Sequence, residues 1–424
     1  MTQLAINGGQ PTIDYEFQRY NPIGKEEKEA AVRVIESGIL SDFLASWGPK
    51  FYGGKYVQTL EKNWAEKFNV KYAISFNSAT SALTAAIGAL NIGPGDEVIV
   101  SPYTMTASAT AIIHFNAIPV FADIDEKTFN ITAQSIEEQI TPYTKAVMIP
   151  NIMGQPANYD EILKLTQKHQ LTIVEDTAQA PIAKYKNQYA GTIGNIGVYS
   201  LNRHKHIHTG EGGIAVTKDS DLAEKLMMIR NHAEAVVGLK GSDSLVNLVG
   251  YNLRLGEIEA AMGIEQLKKI DDLVQARINM VNKIEKQLMD LKGYIELPTI
   301  EKNATHVYYL MAIKYVPKYD RPHRDRIVDA LCKEGVPIRK GFQKPLYLFP
   351  MYQKRIAYGK QGCPFTCPLY KGNVDYSKGI CPNVERVEND LLMPFHVGKV
   401  DLNDSDIEKI GIAFHKVFSN LDQL

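Results

Sequence analysis

From residue 24 to about residue 230 the chain alternates short apolar, β-rich runs with stretches of helical periodicity, and no other feature narrows its fold so much. The runs are "YAISF", "EVIVS", "IPVFADI", "KAVMIP" and "LTIVED". Before the first, "KYVQTLEKNWAEKF" sets Tyr56, Leu60, Trp64 and Phe68 at steps of four, one face of a helix. After it, "ATSALTAAIGAL" reads as a second helix. Repeated β-α-β alternation predicts an α/β fold, a mostly parallel sheet with helices on both faces. Ligands of such sheets bind beyond the carboxyl ends of the strands, so the residues just after each run are the ones to question.

The pattern changes at "GYNLRLGEIEAAMGIEQLKKIDDLVQARINMVNKIEKQLMDL", a long helical stretch. "HVYYLMAIKY" then reads as a strand, and "RDRIVDALCKEGV" and "DIEKIGIAFHKVF" as helices. Residues 340–395 are rich in Pro, Gly and Tyr. A loop of that length is usually functional, and its composition suits a semi-rigid lid over a polar ligand. The expected division is a large domain over 1–270 and a smaller C-terminal domain over 271–424, as 424 residues allow.

Composition excludes more than it selects. Apolar residues make up 45% and charged residues 22%, a globular balance. Lys plus Arg is 47 and Asp plus Glu 48, a net charge of −1, so no overall field draws in nucleic acid. "MTQLAINGGQ" lacks the basic start and apolar core of a secretory signal. No run of about 18 apolar residues suggests a membrane span, so a cytoplasmic location is expected. The four cysteines, Cys332, Cys363, Cys367 and Cys381, are too few for a disulfide framework. Their C-x3-C-x13-C cluster lacks a fourth ligand at zinc spacing, and reduced thiols with no metal are expected.

Three motifs carry chemistry. "TIVEDTAQA" ends a strand with Glu175 and Asp176, which alternation sends to opposite sides, so at most one faces the crevice. There a carboxylate suits a cationic ring nitrogen; Asp176 could equally cap a helix. "FNSATSAL" puts Asn77, Ser78, Ala79 and Thr80 at a helix start, where backbone N–H groups and the dipole favour phosphate, or where a plain cap would serve. "SLNRHKHIHTGEGG" sets Lys205 in an irregular turn among His204, His206 and His208. The lysine offers a reactive amine, and the alternating histidines offer ligands on a shared strand face, though no further metal partners are marked. A phosphate cradle, an aspartate and a later lysine are together what pyridoxal phosphate requires.

"EDTAQA", the S-x4-K-x4-GEGG spacing, "GYNLRLGEIEAAMG" and "NIGPGDEVIVSPYT" resemble the sugar aminotransferases of the DegT/StrS type, within the fold type I pyridoxal phosphate enzymes, from about residue 20 to residue 400. The resemblance implies that Lys205 holds pyridoxal 5'-phosphate as a Schiff base, Asp176 pairs with the ring nitrogen and Gln179 approaches the ring hydroxyl. It implies that Ala79, Thr80 and Ser200, beside Ser78, hold the phosphate. Asn252 of "GYN" would reach the phosphate in the neighbouring subunit, making the active unit a homodimer. Two departures stand out. Met105 takes the place of the usual aromatic residue on the cofactor ring, a role its sulfur can share, with Tyr103 nearby. "SLNRHK" replaces the common "SFHPVK", leaving Arg203 and His204 at the substrate mouth.

Some members carry histidine at the lysine position and act as sugar dehydratases; others could bind the cofactor as regulators without turnover. Counting back five from Gly210 of "GEGG" reaches Lys205, not His204, which favours aminotransfer. The resemblance implies glutamate as amino donor and, as acceptor, a keto sugar on a nucleotide, a keto-cyclitol or a small phosphorylated ketone. Arg203, Lys240, Arg339, Lys340 and Lys344 are cationic candidates for an anionic tail.

Overall fold

A computed structural model describes residues 3–240 and 245–424, the side chain of Lys240 excepted. Seven strands form the main sheet: β1 (Tyr72–Phe76), β2 (Glu97–Val100), β3 (Ile118–Phe121), β4 (Thr144–Pro150), β5 (Thr172–Asp176), β6 (Ile196–Ser200) and β7 (Gly213–Thr217). Their spatial order is β1-β7-β6-β5-β4-β2-β3. β7 runs antiparallel to both neighbours, and the remaining pairs are parallel. The α/β expectation therefore holds, with one reversed strand. Both faces are covered: β2 and β3 are buried at every residue, as parallel strands between helical layers must be.

The helices that sandwich the sheet are α1 (Lys25–Ser37), α2 (Lys55–Phe68), α3 (Ala79–Ala89), α4 (Thr106–His114), α5 (Tyr159–Lys168), α6 (Ser220–Arg230) and the 32-residue α7 (Glu257–Leu288). Strand alternation divides the core. Tyr199, Ile214 and Val216 face α2 and α7, meeting Leu60, Trp64, Phe68 and Leu267. Val198 and Ala215 face the other side, with α3, α4 and α6. The step-of-four stripe on α2 behaves as its spacing requires: Trp64 and Phe68 stack at 5.1 Å between centroids, and Tyr199 meets Trp64 edge-on at 5.4 Å.

A second core joins β8 (Ile295–Glu296), β9 (Met311–Tyr315), β10 (Leu392–Phe395), α8 (Arg324–Lys333) and α9 (Asp404–Phe418) to the end of α7. Residue 270, the expected end of the large domain, lies inside α7, which runs unbroken from one core to the other. Leu4 and Ile13, near the start of the chain, belong to the second core. "HVYYLMAIKY" is a strand only from Met311. Before it, the Val307 and Tyr309 N–H groups donate to the Gly154 and Met153 carbonyls, both at 2.8 Å, and so cannot join a ladder.

The tyrosine-rich stretch is likewise no lid over the crevice. Leu346, Tyr347, Tyr352, Phe365, Tyr370, Tyr376 and Val384 are buried in the main core. They cover β3, the edge strand, whose unpaired backbone groups would otherwise invite another chain. The Tyr376 hydroxyl donates to the Pro119 carbonyl in that strand at 2.7 Å, and the Phe121 and Tyr352 rings meet edge-on at 5.2 Å. The Asp123 carboxylate, just past β3, accepts the N–H groups of Asn383 and Val384 at 2.8 and 3.1 Å.

The Tyr352 hydroxyl is buried without a hydrogen-bond partner among the described residues, unlike that of Tyr376. Tyr352→Phe is therefore expected to leave stability unchanged or raise it, whereas Tyr376→Phe strands the Pro119 carbonyl and costs about 1 kcal/mol. Urea denaturation midpoints of the two variants check this; equal losses would refute it.

Candidate functional site

At the end of β5, Glu175 and Asp176 part as alternation demands. Glu175 turns into the interior. Its carboxylate accepts the N–H groups of Gly191, Ile193 and Gly194 at 2.6, 2.7 and 2.6 Å and the Tyr159 hydroxyl at 2.8 Å. Burial raises it above the usual carboxyl range, and the backbone donors work against that rise. Asp176 faces the other way and is also buried. One of its oxygens accepts the Ser108 hydroxyl at 2.7 Å and the other the Ala178 N–H at 3.2 Å. No helix begins there, so the capping alternative falls away.

The phosphate candidates converge through strand register. Ser200, the last residue of β6, pairs with Gly213, the first of β7, and Gly213 pairs with Phe76 at the end of β1. Gly213 lies so close to the start of α3 that a Cβ would stand 2.4 Å from the Ala79 nitrogen. Only glycine fits. Ser78 is the N-cap of α3, its hydroxyl accepting the Ser81 N–H at 3.1 Å. The N–H groups of Ala79 and Thr80 sit in the first turn, where no intrahelical carbonyl can accept them. Small side chains, free donors and a helix dipole make this end of the sheet suited to a phosphate.

Lys205 lies in the connection between β6 and β7, closed by the Leu201 and Arg203 N–H groups donating to Gly212 and Gly210 at 2.9 and 3.0 Å. Gly210 has φ of +87°, a conformation other residues rarely adopt. Each flank is pinned to a distant element. The His206 Nε2 donates to the Val307 carbonyl at 2.8 Å, the His208 N–H donates to Gln266 of α7 at 3.0 Å, and the Tyr20 hydroxyl donates to the His206 carbonyl at 2.8 Å. The half-buried Lys205 amine has no acidic partner among the described residues and rests 4.6 Å from the centre of the Tyr309 ring. The Tyr309 N–H donates to Met153 at 2.8 Å, and the Met153 N–H donates to the Gln179 side chain at 2.9 Å. Met153 itself sits at φ of +58°, held there by bonds on both sides. Gln179 is thus a buried strut between β5 and Tyr309, not a surface residue.

The histidines share no strand face. His206 is buried, His208 half-buried and His204 exposed, and no group of three His, Cys, Asp or Glu side chains among the described residues could hold a metal. The four cysteines are free thiols. Asn252 is exposed, bridged to Asn231, and accepts from the Arg254 Nε at 2.8 Å. Met105 precedes α4 with its side chain largely exposed. Tyr103 is fully buried, its hydroxyl donating to Glu388 at 2.7 Å. Arg203 is exposed beside His204. Of the other cations, Lys340 is paired with Asp329 at 2.7 Å and Lys344 lies 5.8 Å over the Phe349 ring. The Lys240 side chain lies outside the described residues.

Sequence reasoning passed over Ser108, Tyr309, Tyr20 and Arg277. The last is buried behind the lysine, 4.9 Å from the centre of the Tyr20 ring, with both terminal nitrogens unpartnered among the described residues. None of these lies in a motif that marks it.

The description "DegT/DnrJ/EryC1/StrS aminotransferase family" matches residues 29–382. The chain is 35% identical to a GDP-perosamine synthase of Caulobacter vibrioides, over 70% of this chain and 79% of that one. It is 28% identical to a putative L-glutamine:3-amino-2,3-dideoxy-scyllo-inosose aminotransferase of Streptomyces kanamyceticus, over 100% and 98%. Among solved structures, an aminotransferase from Psychrobacter cryohalolentis superposes with a TM-score of 0.82 at 30% identity, over 96% of this chain and 100% of that one. No helix among the described residues is long and apolar enough to cross a membrane.

Two buried histidines at the lysine's support stay neutral. His206 is held well below the usual histidine range, by burial first and then by Arg277, and His306 is pulled down to about 3 by burial. The unfolded chain takes up protons below about pH 6.5 while the folded chain does not. Their contribution to stability is therefore complete above that pH and is lost as the pH falls. His306→Gln should flatten the fall in unfolding free energy between pH 6.5 and 5 by about one proton, some 1.4 kcal/mol per pH unit. An unchanged slope in urea titrations would count against a neutral His306.

Proposed function

The chain belongs to the DegT/DnrJ/EryC1/StrS aminotransferase family, and from that premise we propose that it uses pyridoxal phosphate to move an amino group, from glutamate, onto the keto carbon of a sugar carried on a nucleotide or of a related cyclitol. The observation that carries this reading is the Lys205 amine, without an acidic partner among the described residues and backed by Tyr309, at the same sheet end as the buried Asp176 carboxylate.

The residues fit the cofactor in three respects. The contact between Gly213 and Ala79 leaves the first turn of α3 open to a phosphate, with Ser78, Thr80 and Ser200 around it. Asp176 is an acceptor already oriented by Ser108, matched to a protonated ring nitrogen. Gln179, tied to Met153, keeps its side-chain amide group beside the ring's expected place. When bound, pyridoxal phosphate supplies an electron sink that lets nitrogen leave one carbon and join another. Asp176 would keep the proton on the ring nitrogen, in a buried position where its charge acts strongly. The Lys205 amine would carry the proton to and from the reacting carbon as general base and acid. The pinned flanks of its turn limit how far that amine wanders, which is the positional part of catalysis. Met105 stands at the opening, where its thioether can pack on a ring.

A homodimer is part of the reading. Exposed Leu245, Val246, Val249 and Tyr251 precede Asn252, and exposed Leu40 and Leu44 are tied alongside through bonds to Glu257 and Asn231. An apolar surface of this kind marks an interface, and Asn252 at its border would serve the partner's phosphate. The names of the two relatives support a keto sugar or keto-cyclitol as acceptor. A dehydratase that replaces this lysine by histidine is disfavoured by Lys205 itself.

The purified protein is expected to be yellow and to bleach on borohydride, with mass spectrometry locating the adduct on Lys205. Lys205→Ala should abolish turnover with the fold intact. Asp176→Asn should lower it about a hundredfold or more. Full activity in Asp176→Asn would remove the aspartate from its assigned role.

A further inference from the structure

The cations around the mouth of the crevice are unbalanced. Arg203 and His204 are exposed on the turn just before Lys205. His396 and Lys399 belong to the turn after β10, where the Lys399 N–H donates to the His396 carbonyl at 3.0 Å. That second turn rests on the support of the lysine. A Cβ on Gly398 would stand 3.5 Å from the Tyr309 carbonyl. The Tyr20 N–H donates to the Lys399 carbonyl at 3.1 Å and its hydroxyl to the His206 carbonyl at 2.8 Å, tying the two turns together. Arg339 is brought alongside by its N–H bond to Pro394 of β10 at 3.2 Å.

Arg203, Arg339 and Lys399 form no ion pair among the described residues. They press on one another instead. Partial burial, then Arg339 and Arg203, lower Lys399 below the usual lysine range. Burial, Lys399, Arg339 and His204 bring His396 down to about 4. Burial, Arg203, Lys399 and Lys205 lower His204 against the single opposing acid, Glu211, whose carboxylate accepts the Asn202 amide at 2.9 Å. Three cationic side chains held near each other with no ion-pair partner among the described residues gain most when an anion with several charges settles among them. Two guanidinium forks match the geometry of phosphoryl oxygens better than they match a lone carboxylate.

We propose that Arg203, Arg339 and Lys399 form the seat of a phosphoryl group of the acceptor beside Lys205, with His204 and His396 as hydrogen-bonding groups around it. The proposal rests on the aminotransferase reading for the acceptor's role, and it is particular to this chain, which carries Arg203 and His204 where the usual motif has an apolar residue and proline. The rival occupant is the dicarboxylate donor, which also brings two charges.

Inorganic pyrophosphate and glutarate separate the two in calorimetric titrations of the holoenzyme. Pyrophosphate is expected to bind, and R203Q, R339Q and K399Q, all at exposed positions, should each weaken it about tenfold. K340Q, whose charge is taken up by Asp329, should leave it unchanged. Glutarate binding more tightly than pyrophosphate, and lost in the same three variants, would overturn the proposal. So would pyrophosphate binding that none of the three weakens. Hydride trapping on the same samples keeps the two readings apart. An adduct on Lys205 without pyrophosphate binding removes the seat and spares the aminotransferase. Pyrophosphate binding without an adduct supports the seat and removes the cofactor.

Discussion

Two neighbouring carboxylates at the end of β5 must leave the sheet on opposite sides, and the rest of the site follows from where each one goes. Glu175 gathers three backbone N–H groups from residues 191–194, the segment that leads into β6. Fixing that segment sets the register of β6 on β5, where Asp176 pairs with Val198. Two residues on, Ser200 hands the register to Gly213 of β7, and Gly213 meets the first turn of α3. The interior carboxylate thus positions, through backbone alone, the groups that surround the exterior one. An unpaired buried charge would cost several kcal/mol, which is why its donors matter to more than stability.

The lysine depends on a different part of the chain. Its turn has the glycines a tight connection needs, yet what holds it in place comes from Tyr20, Gln266, Val307 and Tyr309. These residues span the start of the chain, α7 and the approach to β9. α7 and the approach to β9 therefore serve as a backing plate for the Lys205 amine, and α7, buried in both cores, keeps the plate in register. Separating the chain at residue 270 would cut through that connection.

Strands, their order in the chain and the residues at their ends could be read from the sequence because parallel strands buried on both faces leave unbroken apolar runs, and because a β5 that ends in two acids can send only one to the crevice. The lysine was legible from its spacing to "GEGG". Ser108, Tyr309 and Arg277 were not, since each acts across the fold and none sits at a strand end or in a motif. The stretch from residue 340 to 395 misled for a physical reason. Tyrosine and proline in a long loop suit a lid, but they suit equally well a cover for a sheet edge, where hydroxyls can satisfy backbone carbonyls such as that of Pro119. Composition does not distinguish the two; only the location of the edge strand does.

A net charge of −1 says nothing about the field at the crevice. Many surface cations are already matched, as Lys340 is by Asp329 and Lys168 by Glu137, and such exposed pairs are electrically quiet at a distance. Other cations have no ion pair among the described residues, and three of these lie together. Arg203, Arg339 and Lys399 meet at the mouth, and Arg277 lies buried behind Tyr309 with its two terminal nitrogens unpartnered among the described residues. A chain with a net charge near zero can therefore present a positive funnel at one place, because low-dielectric walls concentrate the field of a few clustered charges. Among the described residues only Glu211 opposes the cations of this turn, a local imbalance of the fold that no count of charged residues contains.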